Sequence, residues 1–209
     1  EEERDESTRP LPPFHTPAFE NVNCAKRAIL NADIITTVSE QYAQEIMTKD
    51  FGEDLHRILR NRKNRLFGIV NGIDEKEYNP ATDPGLAATY TAATLERKKL
   101  NKVALQRKYG LPEDEAAPLL SMVSRITEQK GFDLLIEAFP QLSELPLQWV
   151  ILGSGEEGIE AALRKSLGDF PNVRLKLTFD DPLAHRIYAG ADAFLMPSRY
   201  EPCGLSQMI

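Results

Sequence analysis

Leu119-Leu120-Ser121-Met122-Val123-Ser124-Arg125-Ile126-Thr127-Glu128-Gln129-Lys130-Gly131-Phe132-Asp133 runs from an apolar stretch, through a polar turn, into the start of an amphipathic segment. Five residues, mostly apolar and bounded by turn formers, fit a strand covered on both faces. The same unit recurs downstream. Strands are predicted at Leu119–Val123, Trp149–Leu152, Val173–Leu177 and Ala193–Met196, with helices over roughly 131–142, 156–168 and 182–190. Strand and helix in alternation predict a parallel sheet with helices on both faces, which is the α/β class.

Upstream of this core, residues 112–118 read as a linker between Pro112 and Pro118. A basic helix is predicted from about Leu95 to Tyr109, closing at Gly110. Residues 75–95 carry the breakers Asn79-Pro80 and Asp83-Pro84 and read as irregular chain. Further back, Ile34–Val38 is a short β-branched run that reads as a buried parallel strand, and Leu66–Val70 reads as a second short strand. Helices are predicted over Asn21–Asn31 and after Ser39, whose hydroxyl is placed to cap it. Residues 1–20 are acidic, then proline-rich, and read as an arm or loop. The chain thus divides into that arm, a partial α/β unit over 21–74, a linker and helix over 75–118, and the first half of a second α/β unit over 119–209. It opens without Met and stops in mid-pattern, so it reads as a fragment.

The 209 residues are 42% hydrophobic and 27% charged, as in ordinary globular proteins. A formal charge of −7 argues against nucleic-acid or anionic-membrane partners, which need clustered Lys and Arg. No apolar run approaches the roughly 20 residues that span a bilayer, and the acidic start resembles no secretory signal. Cys24 and Cys203 form neither a metal-ligand spacing nor a disulfide framework, which favours a reducing compartment and no metal.

Three segments carry candidate chemistry. Ser124–Asp133 follows a strand and opens a helix, so it sits at the carboxyl end of the sheet, where open α/β folds bind ligands. Arg125 offers a bidentate fork and Lys130 a point charge beside a helix N-terminus, which together suit a diphosphate. The competing interpretation is a solvated loop with surface charges. Leu152-Gly153-Ser154-Gly155-Glu156-Glu157 superficially matches a dinucleotide fingerprint, with Gly158 in third place. Such a site needs an acid at the end of the next strand, and Asp169 precedes that strand. A tight turn letting strand and helix pack is therefore preferred over an NAD site. Third, a buried strand, Ala193-Phe194-Leu195, leads into a loop holding Glu201, Cys203 and Gly204. Glu201 can accept hydrogen bonds from sugar hydroxyls. Cys203 is not read as a nucleophile, because nearby His185 has no evident orienting acid.

Taken in order, these segments resemble the starch and bacterial glycogen synthases, GT-B glycosyltransferases that use ADP-glucose. The resemblance rests on Asn23-x-x-Lys26-x-x-Ile29-x-x-Ala32-Asp33, Thr37-Val38-Ser39-x-x-Tyr42-Ala43-x-Glu45-Ile46, Asn71-Gly72-Ile73-Asp74, and Asn79-Pro80-Ala81-Thr82-Asp83. It continues through Lys99-x-Asn101-Lys102, Leu105-Gln106, the Ser124–Leu134 string and Pro197-Ser198-Arg199-Tyr200-Glu201-Pro202-Cys203-Gly204-Leu205. The resemblance implies parts of two Rossmann-like domains. It implies that Arg125 and Lys130 hold the leaving diphosphate, and that Glu201, with the backbone around Cys203 and Gly204, meets the glucosyl group. It further implies that Asn71 lines the cleft from the first domain. Where the family carries Gly-Tyr near the donor, this chain has Thr178-Phe179. The implied reaction is retaining transfer of glucose from ADP-glucose to the non-reducing end of an α-1,4-glucan, with no metal or cofactor. The implied setting is a plastid in a plant or alga and the cytoplasm in a bacterium. Two alternatives stay open: a GT-B enzyme with another nucleotide sugar, and a catalytically silent glucan-binding homologue.

Overall fold

The computed structural model describes Pro10 and residues 22–209, so the predicted arm over 1–20 lies almost wholly outside the described residues. Two units are present, one ending at Gly72 and one running from Ile73 to Ile209.

In the first unit, helix α1 (Cys24–Asn31) is capped by Asn23, whose side chain accepts from the Lys26 amide at 2.8 Å. Its last carbonyls are gathered by Arg62, which donates to Ile29 O at 3.0 Å, Leu30 O at 2.6 Å and Ala32 O. A guanidinium there also complements the negative end of the helix dipole. Strand β1 (Ile35–Thr37) leads to Ser39, which caps α2 (Glu40–Glu45) by accepting from the Tyr42 amide at 3.0 Å. Helix α3 (His56–Asn61) follows, and then β2 (Leu66–Gly68) pairs in parallel with β1. Ala43, Leu59 and Leu66 form the buried centre. The first strand was expected to be buried, yet Ile34 is exposed, and so are Phe67, Ile69 and Val70 along the second run. Each strand has a single neighbour in this sheet, so half of its pairing edge and much of its surface lie uncovered.

The second unit begins with irregular chain and a 3-10 turn (Ala92–Arg97), then helix α4 (Lys98–Tyr109), closed by Gly110. Strand β3 (Leu119–Val123), helix α5 (Phe132–Leu142), strand β4 (Gln148–Gly153), helix α6 (Glu157–Leu167) and strand β5 (Val173–Leu177) follow. Helix α7 (Asp181–Gly190) and strand β6 (Ala193–Phe194) complete the series. The sheet is parallel throughout, in the order β5-β4-β3-β6.

Alternation along β4 explains the two layers. Trp149 and Ile151 face a core with Phe132, Leu135, Phe139, Leu163 and Leu167 of α5 and α6. Val150 and Leu152 face Leu105 of α4 and Leu183 and Ile187 of α7. Side chains of one strand feed both layers because the pleat has a period of two.

Residues 75–118 were expected to be a linker with a helix, but the structure makes them part of this unit. Lys102, with a side chain only 4% exposed, pairs with Asp192 at 2.6 Å and donates to Glu115 O at 2.9 Å. Asn101 exchanges two hydrogen bonds with the backbone of Ala88, and Gln106 donates to Gln148 at 2.8 Å. Lys98 donates to Tyr188 O and Ala189 O, and Arg186 donates to Gly85 O. The residues that looked like family motifs on α4 therefore tie irregular chain to the sheet. The strand around Ala193 is also not buried as expected: Ala193 is exposed and Phe194 half-buried, because β6 has β3 as its one partner.

Candidate functional site

Strand order reverses at β3. The chain moves outward through β4 and β5, then returns by α7 to place β6 on the other side of β3. The crevice beyond the carboxyl ends of two such strands is where open α/β sheets take ligands. Here the loop after β3 carries Arg125 and Lys130, and the loop after β6 carries Glu201.

These loops are laced together. The Arg199 amide donates to Gln129 O at 2.9 Å, and Gln129 Nε2 donates to Tyr200 O at 3.3 Å. Arg199 pairs with Asp133 at the first turn of α5. Lys130 Nζ pairs with Glu201 Oε2 at 2.5 Å, both side chains being mostly buried at 15% and 19% exposure. The approach depends on Gly131. A Cβ there would lie 2.1 Å from Pro197 O, and its φ of +72° is a conformation that side chains resist. The pair Gly153 and Gly155 works similarly. Added Cβ atoms would lie 1.9 Å from Ser124 O and 2.1 Å from Ile126 O. The tight turn expected to pack strand on helix instead admits the backbone of the neighbouring 124–126 loop, which bridges to Gly155.

A cavity of 170 Å³ opens at this point, lined by Ser124, Arg125, Lys130, Pro197 and Ser198 among others. The Ser198 hydroxyl is buried and has no hydrogen-bond partner among the described residues, so it is free to meet a ligand. A second cavity of 270 Å³ shares Val123, Ser124, Arg125 and Ser206 with the first and adds Tyr78, Thr178, Phe179 and Tyr188. Arg125 is exposed between the two and forms no ion pair among the described residues.

The structure thus brings Arg125, Lys130 and Glu201 into one crevice and places Thr178 and Phe179 on the adjoining wall. Phe179 is 84% exposed at its rim. Glu201 reaches the cavity through Lys130 rather than by lining it. Cys203 is half-buried, its carbonyl accepting from Gln207 Nε2 at 2.9 Å, and Gly204 opens the short 3-10 turn Leu205–Gln207. Asn71 lies in the first unit, exposed in the turn beyond β2.

One reading needs correcting. His185 does have an orienting acid: its Nδ1 lies 2.7 Å from Asp83 Oδ2, and Tyr78 stacks on the ring. Asp83 is 102 residues distant in sequence, so only the fold reveals the pair. Among the described residues no hydrogen bond or ion pair joins His185 to Cys203, which stays without a base. Burial raises the Tyr188 phenol, a rise that its bond to Ser206 partly offsets.

Comparison with known proteins identifies the family. Residues 104–208 match the family described as glycosyl transferases group 1, and residues 6–61 match the starch synthase catalytic domain. The chain is 50% identical over 184 residues to glycogen synthase 1 of Methylococcus capsulatus, covering 88% of this chain and 37% of that protein. It is 49% identical over 196 residues to glycogen synthase of Geobacillus thermodenitrificans, covering 93% and 40% respectively. Among solved structures, the catalytic domain of starch synthase IV from Arabidopsis thaliana, bound to ADP and acarbose, superposes with a TM-score of 0.82. It is 41% identical and is matched over 88% of this chain and 38% of its own. The chain spans about 40% of the length of the curated relatives it matches. Both units are parts of Rossmann-like domains of the GT-B type, and the chain belongs to the starch and glycogen synthases among the group 1 glycosyl transferases.

Proposed function

We propose that this chain supplies the donor-phosphate half of a glucan synthase, one that moves glucose from ADP-glucose to the non-reducing end of an α-1,4-glucan with retention. The observation carrying this reading is the meeting of Arg125, Lys130 and Glu201 at the strand-order reversal. The relatives' names supply the substrate class, and the ADP in the Arabidopsis structure supports adenine in the donor.

The transfer breaks the bond between the anomeric carbon and the diphosphate oxygen, and negative charge grows on the leaving ADP. Fixed cations at that oxygen are worth more in the transition state than in the ground state. In this reading Arg125 grips the phosphates as a fork, Lys130 neutralises the growing charge, and the amides at the start of α5 add their dipoles. Two side-chain cations and a helix end then carry the charge without a metal or cofactor. Glu201 accepts from glucosyl hydroxyls once the donor competes for Lys130. The adjoining cavity, with Tyr78 and Phe179 in its wall, takes the nucleoside. Asn71 belongs to the acceptor side. The setting is the plastid for a plant or algal source and the cytoplasm for a bacterial one. Among the described residues no helix is long and apolar enough to cross a membrane.

The test is incorporation of labelled glucose from ADP-glucose into glycogen by the full-length protein and its Lys130→Ala variant. Loss of incorporation with glycogen binding intact is expected. Equal incorporation by both removes Lys130 from the donor site.

A further inference from the structure

Helix α7 carries a constellation to which the proposed transfer assigns no step, although one member, Asp181, also lines the second cavity. Asp181 and His185 are four residues apart, hence on one face of the helix. Asp83, outside the helix, engages His185 Nδ1 at 2.7 Å, and the two side chains are only 12% and 14% exposed. A carboxylate at Nδ1 holds the ring proton there and leaves the Nε2 lone pair available. Nε2 lies 3.9 Å from Asp181 Oδ2, too far for a hydrogen bond. Glu77, in the irregular chain before Tyr78, brings a third group. One ligand atom from each of Glu77, Asp181 and His185 lies within 4.8 Å of the other two.

Two ligands on one zinc-class ion, each roughly 2.0–2.2 Å from it, stand about 3–4 Å apart. The His185–Asp181 spacing already falls in that range, and exposed Glu77 closes the remainder by a change of rotamer. We propose that Glu77, Asp181 and His185 form a binding site for one divalent ion of the zinc class, with Asp83 as the outer partner fixing the imidazole. Imidazole nitrogen with two carboxylates suits Zn²⁺ or Co²⁺, whereas Mg²⁺ and Ca²⁺ favour all-oxygen shells. An outer carboxylate on a ligating histidine is the usual companion of such sites.

The test is titration of the tag-free full-length protein with Co²⁺, read by its visible absorption, and with Zn²⁺, read by calorimetry. No nucleotide sugar is present, so failure here and failure of the donor assignment are separate results. One equivalent is expected to bind. Glu77→Gln and Asp181→Asn should each weaken binding by about 10-fold or more, and Asp83→Asn by roughly 10- to 100-fold. Glu77 is exposed, so its variant keeps the test valid even if substitutions at Asp83 or His185 disturb packing. Absence of binding at millimolar ion overturns the proposal. So does equal affinity in the Glu77→Gln and Asp181→Asn variants.

Discussion

Lys130 Nζ lies 2.5 Å from Glu201 Oε2, although 71 residues of chain separate the two. In the proposed function, the cation that would hold phosphate is thus already partnered by the carboxylate that would meet the sugar. An incoming diphosphate would then compete with Glu201 for the same ammonium, and its arrival would release the carboxylate towards the glucosyl hydroxyls.

Glu201→Gln separates the two roles. Shape is kept and the competing charge is lost, so ADP should bind the full-length protein at least as tightly as before. Turnover should fall by about 100-fold, because an amide accepts sugar hydroxyls less strongly than a carboxylate. Calorimetry with ADP and initial rates with ADP-glucose read both. Weaker ADP binding in the variant would mean that Glu201 positions Lys130 rather than competing for it.

Gly131→Ala meets two penalties at once, a left-handed backbone and a Cβ 2.1 Å from Pro197 O. Destabilisation of roughly 2–4 kcal/mol is expected, with loss of ADP binding as the loops part. Denaturant unfolding of the variant measures it. A midpoint equal to that of the parent would show that the loops can separate freely.

Lys102 tests what a buried charge does here. Lys102→Ala leaves Glu115 O without its donor and Asp192 with the Leu119 amide alone, and should cost roughly 1–3 kcal/mol, less than a fully buried pair because Asp192 is 45% exposed. Lys102→Met keeps the packed stem and should cost less. Equal losses in both variants would assign the role to the ammonium alone.

Four phenols give the alkaline limb of stability. Burial is the first cause of a raised pKa at Tyr78, Tyr90, Tyr109 and Tyr188. A folded-state pKa above the unfolded value of about 10 means that their contribution is complete below that pH and is lost as pH climbs through the raised values. Ultraviolet titration should show a set of phenols ionising late and together with unfolding. Ionisation of all six tyrosines at ordinary pH, with the fold intact, would contradict their burial.

Much of the fold was legible because the strands of the second unit are mostly apolar or alternating runs bounded by turn residues. Leu119–Val123 and Val173–Leu177 begin and end where the pattern does. Helix α3 was not predicted. Its six residues give only the adjacent pair Ile58 and Leu59 as a buried face, too few for a helical period to show. The prolines of 75–118 correctly signalled irregular chain, but irregular chain can still be structural. Its anchors, Asn101, Lys102 and Gln106, are polar residues whose partners are set by tertiary packing. The site divides along the same line. Arg125 and Lys130 stand out beside a strand end, whereas the acid for His185 and the counter-ion for Lys130 come from distant segments that no local pattern connects.

The contact of Gly131 with Pro197 makes the loops after β3 and β6 a single heritable unit. A recombinant that takes one loop from a distant relative and keeps the other inherits surfaces that were never fitted to each other. If the two loops hold the donor as proposed, exchange of donor preference has to move residues 124–133 and 196–204 together, as two halves of one part.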